Sequence, residues 1–283
     1  MAEELSNCNL DTFASADGAL KDYTLYQLYN KNFNIPCNDE REEFSCNTGQ
    51  NYSFDDEKIK EFYNKLVRNL KMISKKDQYF NSLIINENKL CTYLKYWFHD
   101  QVISKKYNST EVDKIFKAWN NSDNSFLKHS PCYIHALSLN KIQEIKPVYD
   151  YFILYDRNNN KEIETDKILK TKYCEYFKIA QMMYVSKDTM CQINVSSPVC
   201  NEYNQNIKTF VEYDEDFIIS CESEEEIVKA IKTIIIVLIF LFFGILSLLL
   251  LYTKVKKIYA YAYNHHKKVI FITFSICICI IVT

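Results

Sequence analysis

Five histidines and eleven cysteines are the side chains of this 283-residue chain best suited to metal binding or catalysis. The histidines are His99, His129, His135, His265 and His266. Cys132 and His135 have the Cys-x-x-His spacing of half a zinc site, but no second half follows them, so a structural role is preferred. His99 and Asp100 adjoin on the polar edge of a helical stripe and read as solvated surface. No serine or cysteine has an evident histidine and acid partner set, although partners in space are invisible to sequence. The three glycines, Gly18, Gly49 and Gly244, are too scattered for a phosphate-cradling loop or a Gly-x-Ser-x-Gly elbow. The expectation is a chain with no catalytic residues, no metal site and no cofactor.

The cysteines point elsewhere. Nine precede a long apolar run near the C-terminus: Cys8, Cys37, Cys46, Cys91, Cys132, Cys174, Cys191, Cys200 and Cys221. None forms a Cys-x-x-Cys pair, which argues against zinc ribbons and thioredoxin-type redox centres. On the outer side of a membrane they are disulfide candidates. Nine is odd, so one thiol stays free or bridges to another chain. Eight cysteines allow about a hundred pairings, among which sequence does not choose. Several could equally be small buried residues. Four sequons, at Asn51, Asn108, Asn120 and Asn194, mark exposed loops more than they establish glycans.

The elements that must carry these residues are organised around Thr233–Tyr252, 20 residues without a charge. As a helix it is about 30 Å long, the thickness of a bilayer's hydrocarbon core. A lone segment crosses there only as a helix, because its backbone groups must be satisfied internally. Lys254, Lys256 and Lys257 follow it and Glu222, Glu224, Glu225 and Glu226 precede it, so the C-terminal side is expected to be cytoplasmic. Before the run lie 29 basic and 36 acidic residues, a net charge of −7. That balance argues against nucleic acid or anionic lipid as the outer part's partner.

With 3 Gly, 4 Pro, 22 Tyr and 18 Phe, the chain lacks turn residues for a β-rich fold. The expected fold is all-α: a disulfide-stapled helical ectodomain followed by a single transmembrane helix. The regions are residues 1–213 (helical, Cys-rich), 214–232 (acidic stalk), 233–252 (span) and 253–283 (basic, then apolar tail). Residues 1–19 read as polar and loose. The clearest helix covers about 54–75, where Ile59, Phe62, Tyr63, Leu66, Val67, Leu70 and Ile73 share one face and Ser53 is the expected cap. Further helices are expected at 20–31, at 79–105 with Leu90, Cys91, Leu94, Trp97 and Phe98 as its stripe, and at 110–119 capped by Thr110. Others are expected at 139–156 with a kink or restart at Pro147, at 163–184 and at 202–213. Cys91 on its stripe suits a disulfide to a neighbouring helix. Residues 32–52, 120–137 and 185–200 are expected as displayed loops, the last one stapled through Cys191 and Cys200.

The N-terminus lacks the basic and apolar regions of a cleaved signal peptide. The run 269–283 is 15 residues, short for a span; it reads as an interfacial segment, a hairpin return or a non-native ending, the last being favoured.

Leu90-Cys91-x-Tyr93-Leu94-x-x-Trp97, the Pro131-Cys132-Tyr133 step and Cys174 followed by Tyr176 occur in an order that resembles the Plasmodium interspersed repeat superfamily, in particular its vivax-type (VIR) variant proteins. The absent signal peptide, the single late span and the Lys/Asn/Ile/Tyr-rich composition add to the likeness, which extends over about residues 5–255. The resemblance implies a helical, disulfide-stapled ectodomain made by a malaria parasite and exported to the infected red cell. It implies antigenic variation, immune evasion and adhesion to a host receptor. The apolar ending departs from the polar cytoplasmic tail usual in that family. Expected partners are the lipid bilayer and a host receptor or antibody, with no nucleic acid. The rival readings are an internal membrane scaffold whose acidic face binds a basic partner and, more distantly, a thiol enzyme using the odd cysteine.

Overall fold

In a computed structural model of the chain, residues 8–37, 54–74, 86–120, 132–158, 163, 166–211, 218–221, 236, 239–257 and 263 are described. They form α1 (Leu10–Ala16), a short 3-10 turn, α2 (Thr24–Leu28) running into a π turn at Tyr29–Phe33, α3 (Glu57–Ser74), α4 (Glu87–Ser104), α5 (Ser109–Asn120), α6 (Leu139–Arg157), α7 (Cys174–Ile193), α8 (Pro198–Asn206) and α9 (Ile239–Lys257). No strand occurs among the described residues. The chain divides into two units, Met1–Cys221 and Glu222–Thr283.

The first unit is built around α4. Every residue from Leu90 to Ile103 is buried, although only the Leu90–Trp97–Phe98 stripe is apolar enough to announce it. The reason is position: α4 packs against α3, α6, α8 and the π turn, so no side of it faces water. α3 shows the simpler amphipathic case. Its seven expected apolar residues are all buried, and Phe62 rings pack on Trp97 and Phe98 at 5.4 and 5.5 Å. Its cap is Asp56, whose Oδ1 accepts from the Lys58 N–H at 2.8 Å; Ser53 lies outside the described residues. Likewise α5 is capped by Asn108 rather than Thr110. Asn108 Oδ1 accepts from Glu111 N–H at 3.0 Å, and the Glu111 carboxylate takes the Asn108 N–H at 2.6 Å, a reciprocal pair that satisfies two orphan donors.

Three expectations give way. Residues 10–16 are a packed helix, not a loose end: Leu10, Phe13 and Ala14 are buried, with Phe13 against Tyr173 and Phe177 at 5.1 and 5.0 Å. Pro147 neither stops nor restarts α6, which runs unbroken from Leu139 to Arg157. One helical hydrogen bond is lost to the proline, at about 3 kcal/mol, and burial of Ile145 through Asp156 offsets it. The stretch 185–200 is not a loop either. α7 continues to Ile193 and Pro198 opens α8 as its first residue, a position that suits proline because its missing N–H has no helical partner there.

Residues 218–221 of the acidic stretch belong to the helical unit. Ile219 is buried, its N–H donates to Gln181 Oε1 at 2.8 Å, and Cys221 is disulfide-bonded to Cys174. In the second unit α9 has 19 residues and is long and apolar enough to cross a membrane. It carries Lys254, Lys256 and Lys257 in its last turn. The run 269–283 lies outside the described residues.

Candidate functional site

The side chains with acid–base chemistry collect where α4 meets α6 and α8, and they are sealed in. Lys146 Nζ lies 2.7 Å from both carboxylate oxygens of Asp150 and 3.0 Å from Asp100 Oδ1. Tyrosine hydroxyls complete the shell: Tyr29 donates to Asp100 and accepts from Gln101 Nε2 at 2.6 Å, Tyr96 donates to Asp150 at 3.1 Å, and Tyr176 donates to Asp150. Beside this group, Lys95 Nζ is 3.3 Å from Glu202 Oε2, and Tyr149 donates to Glu202 Oε1 at 2.5 Å. Farther along α6, Asp156 takes Lys89 at 2.5 Å and the hydroxyls of Tyr93 and Tyr23. Arg157 bridges Asp17 and Asp166.

His99 and Asp100 are thus not solvated surface. Their exposures are 0% and 1%, because α4 has no outward side. His99 Nε2 stands 3.5 Å from Glu202 Oε1, and neither ring nitrogen has a hydrogen-bond partner among the described residues. Burial pushes the His99 pKa below its usual value, so the ring is neutral at neutral pH. Burial alone would raise Glu202, but Lys95 first, then its remaining neighbours, hold it at about 2. Burial, offset in part by Lys146 and reinforced by Asp100, pushes Asp150 up to about 6. Lys146 goes up despite burial, because two carboxylates face it. Desolvation first, then the adjacent carboxylates, lift Tyr29, Tyr96, Tyr149 and Tyr176 well above 10. Each charge of this seam therefore has an opposite charge beside it, which is the condition for leaving it in a core at all. Such pairs add little net stability over apolar packing of the same volume.

Sequence missed this seam because each member alone looks like a surface residue. The signal available was spacing: Lys146 and Asp150 sit at i,i+4 among Ile145, Val148, Tyr149 and Tyr151, flanked by apolar neighbours on every side.

Disulfides brace the unit. Cys91 pairs with Cys132, Cys174 with Cys221 and Cys191 with Cys200; Cys37 is disulfide-bonded as well. Cys91 is thereby tied to the extended segment before α6, not to a neighbouring helix. Cys132 spends its sulfur on that bond, so Cys132 and His135 form no half-site; His135 instead meets Gln205 at 3.2 Å. Cys8 is buried, with its carbonyl 3.4 Å from Lys146 Nζ. Cys46, His129, His265 and His266 lie outside the described residues, and among the described residues no three His, Cys, Asp or Glu side chains group as a metal site.

What faces outward is different in kind. α7 exposes Ile179, Met182, Met190 and Ile193, and Val195 follows in the turn. The sequon asparagines Asn108, Asn120 and Asn194 are exposed at helix ends, while Asn51 lies outside the described residues.

The family described as Plasmodium vivax Vir protein matches residues 23–231, a span that takes in α2 through α8 and all three described disulfides. No curated protein and no solved structure matches the chain. A match of that extent, over a helical disulfide-braced unit that a single apolar helix follows, places the chain in the Plasmodium vivax Vir protein family.

Proposed function

We propose that the chain is a variant surface antigen of a malaria parasite, displayed on or exported to the infected red cell, with a role in immune evasion and in adhesion to a host receptor. One observation carries the reading. The clustered buried ionisable groups of the Vir-family unit, Lys95, Asp100, Lys146, Asp150 and Glu202, are spent on one another inside the core, so recognition falls to the outer faces of braced helices and to their turns. In this reading α9 is the single membrane anchor, the helical unit is outside, and Lys254, Lys256 and Lys257 mark the cytoplasmic side. No catalytic step is assigned to it. The exposed turn 194–197 between α7 and α8, held by Cys191–Cys200, is a contact site for antibody or receptor, since turns accept substitution at little cost to a core.

The test is protease shaving of intact infected cells, read with antibodies to residues 1–221 and to 254–263. Loss of the first epitope with protection of the second supports display. Protection of both until the host membrane is opened overturns it and favours the internal scaffold, for which the net charge of −7 before the span would select a basic partner, with salt-sensitive binding.

A further inference from the structure

α7 presents an outward face whose residues repeat in reverse. Ile179, Met182, Ser186, Met190 and Ile193 are all exposed and follow one another at spacings of 3, 4, 4 and 3, one side of a helix. Read from either end the order is Ile, Met, Ser, Met, Ile. A solvent-facing helix side is ordinarily polar, yet no charged side chain occurs at the exposed positions from Ile179 to Val195. Lys187 and Asp188, the charges within that stretch of α7, are turned to Glu144 and to Lys208 and Tyr203. The Ser186 hydroxyl donates to Met190 Sδ at 3.8 Å, so it is satisfied within its own helix. The helix is held at both ends, by Cys174–Cys221 and Cys191–Cys200, which presents the strip without further ordering on contact.

We propose that this face is a homotypic contact: a second copy of the chain packs its own α7 antiparallel on it, about a two-fold axis through Ser186. An isologous interface requires a self-complementary patch, residue i against j and j against i. Antiparallel packing here sets Ile179 against Ile193 of the other copy, Met182 against Met190, and Ser186 against itself. The small serine at the crossing lets the helix axes approach to about 8 Å, and the methionines fill the gaps beside it. The absence of charge lets two copies approach although each carries a net negative charge outside the span. The strip is about 21 Å long and about 10 Å wide. Its area falls short of the ~800 Å² per partner of a stable dimer, so the contact is weak and grows with surface density. The inference does not depend on where the chain is displayed.

The test uses the full-length chain reconstituted in liposomes at rising density, with single added cysteines and mild oxidation. Ser186→Cys is expected to give a disulfide-linked dimer several-fold above the exposed control Gln192→Cys. Ile179→Cys and Ile193→Cys should cross-link when mixed but not singly. Adding Met182→Glu to Ser186→Cys should abolish the linked dimer, and adding Met190→Lys to that chain should restore it, because the two new charges then face each other. Equal yields at 186 and 192, or self-cross-linking of Ile193→Cys matching Ser186→Cys, would overturn the proposal. All these positions are exposed, and unchanged thermal melts of the variants show that lost cross-linking is not lost folding.

Discussion

The Lys146 ammonium lies 2.7 Å from both carboxylate oxygens of Asp150, one turn along the same helix, and both residues are at most 1% exposed. With Asp100 on α4 also 3.0 Å from Lys146, one cation holds two anions in the interior. Lys146→Met is therefore expected to cost about 3–5 kcal/mol, because it leaves two buried carboxylates without their cation. For a unit of this size that lowers the melting temperature by on the order of 10 °C. Thermal unfolding followed by circular dichroism measures it; a loss within 1 °C would show that the cation is dispensable.

Acid should act in a defined window. Glu202 is held near pKa 2 when folded, against 4.5 otherwise, so its stabilisation is complete above about pH 4.5 and is lost as pH falls from there toward 2. The shift corresponds to about 3 kcal/mol. Buried neutral His99 adds a loss below pH 6.5, where the unfolded ring takes a proton that the folded one refuses. Asp150, with its pKa up at about 6, works the other way, gaining stability as pH falls through 6. Between pH 6.5 and 4.5 the His99 and Asp150 effects oppose each other, and denaturant midpoints should drop steeply below pH 4.5. In Glu202→Gln the steep limb flattens, while stability at pH 7 falls because Lys95 loses its partner.

Two of the described disulfides should differ in worth. Cys174–Cys221 closes a loop of 47 residues and Cys191–Cys200 one of 9. Loop entropy then gives about 4 kcal/mol for the first and about 2.5 kcal/mol for the second. Paired serine variants, compared by urea midpoint, are expected in that order; the reverse order would mean that native packing, not chain entropy, sets their value.

Arg68 tests how the N-terminal helices are held. Its guanidinium donates to the carbonyls of Asn32, Phe33 and Ile35 at 3.0, 3.1 and 2.7 Å and to Asn69 Oδ1, closing the end of the π turn where helix carbonyls lack partners. Burial lowers its pKa to about 10, so it stays charged at neutral pH. Arg68→Met should cost about 3 kcal/mol, and Arg68→Lys should recover little, since an ammonium cannot span three carbonyls as a planar fork does. Hydrogen exchange at residues 25–34 should speed up in both variants. Exchange at wild-type rates in the lysine variant would assign the effect to charge alone.

Much of the molecule was legible beforehand, for physical reasons that are local. The apolar stripe of α3 follows from 3.6-residue periodicity, and the apolar run that becomes α9 follows from length and lack of charge. The all-α class follows from scarce Gly and Pro. The Cys and aromatic steps at residues 90–97, 131–133 and 174–176 carried the family likeness. What sequence could not show is which polar residues face inward. Lys95, His99, Asp100, Lys146, Asp150 and Glu202 have the composition of a solvated surface, and only the packing of α4 against helices on all sides buries them and brings Lys95 to Glu202 and Asp100 to Lys146. The same packing gives the many tyrosines their use, since Tyr29, Tyr93, Tyr96, Tyr149 and Tyr176 each end on a buried carboxylate. Cysteine pairing was open for a related reason: which two sulfurs meet is set by chain paths over separations of 41 and 47 residues, and no local pattern encodes a distance of that kind.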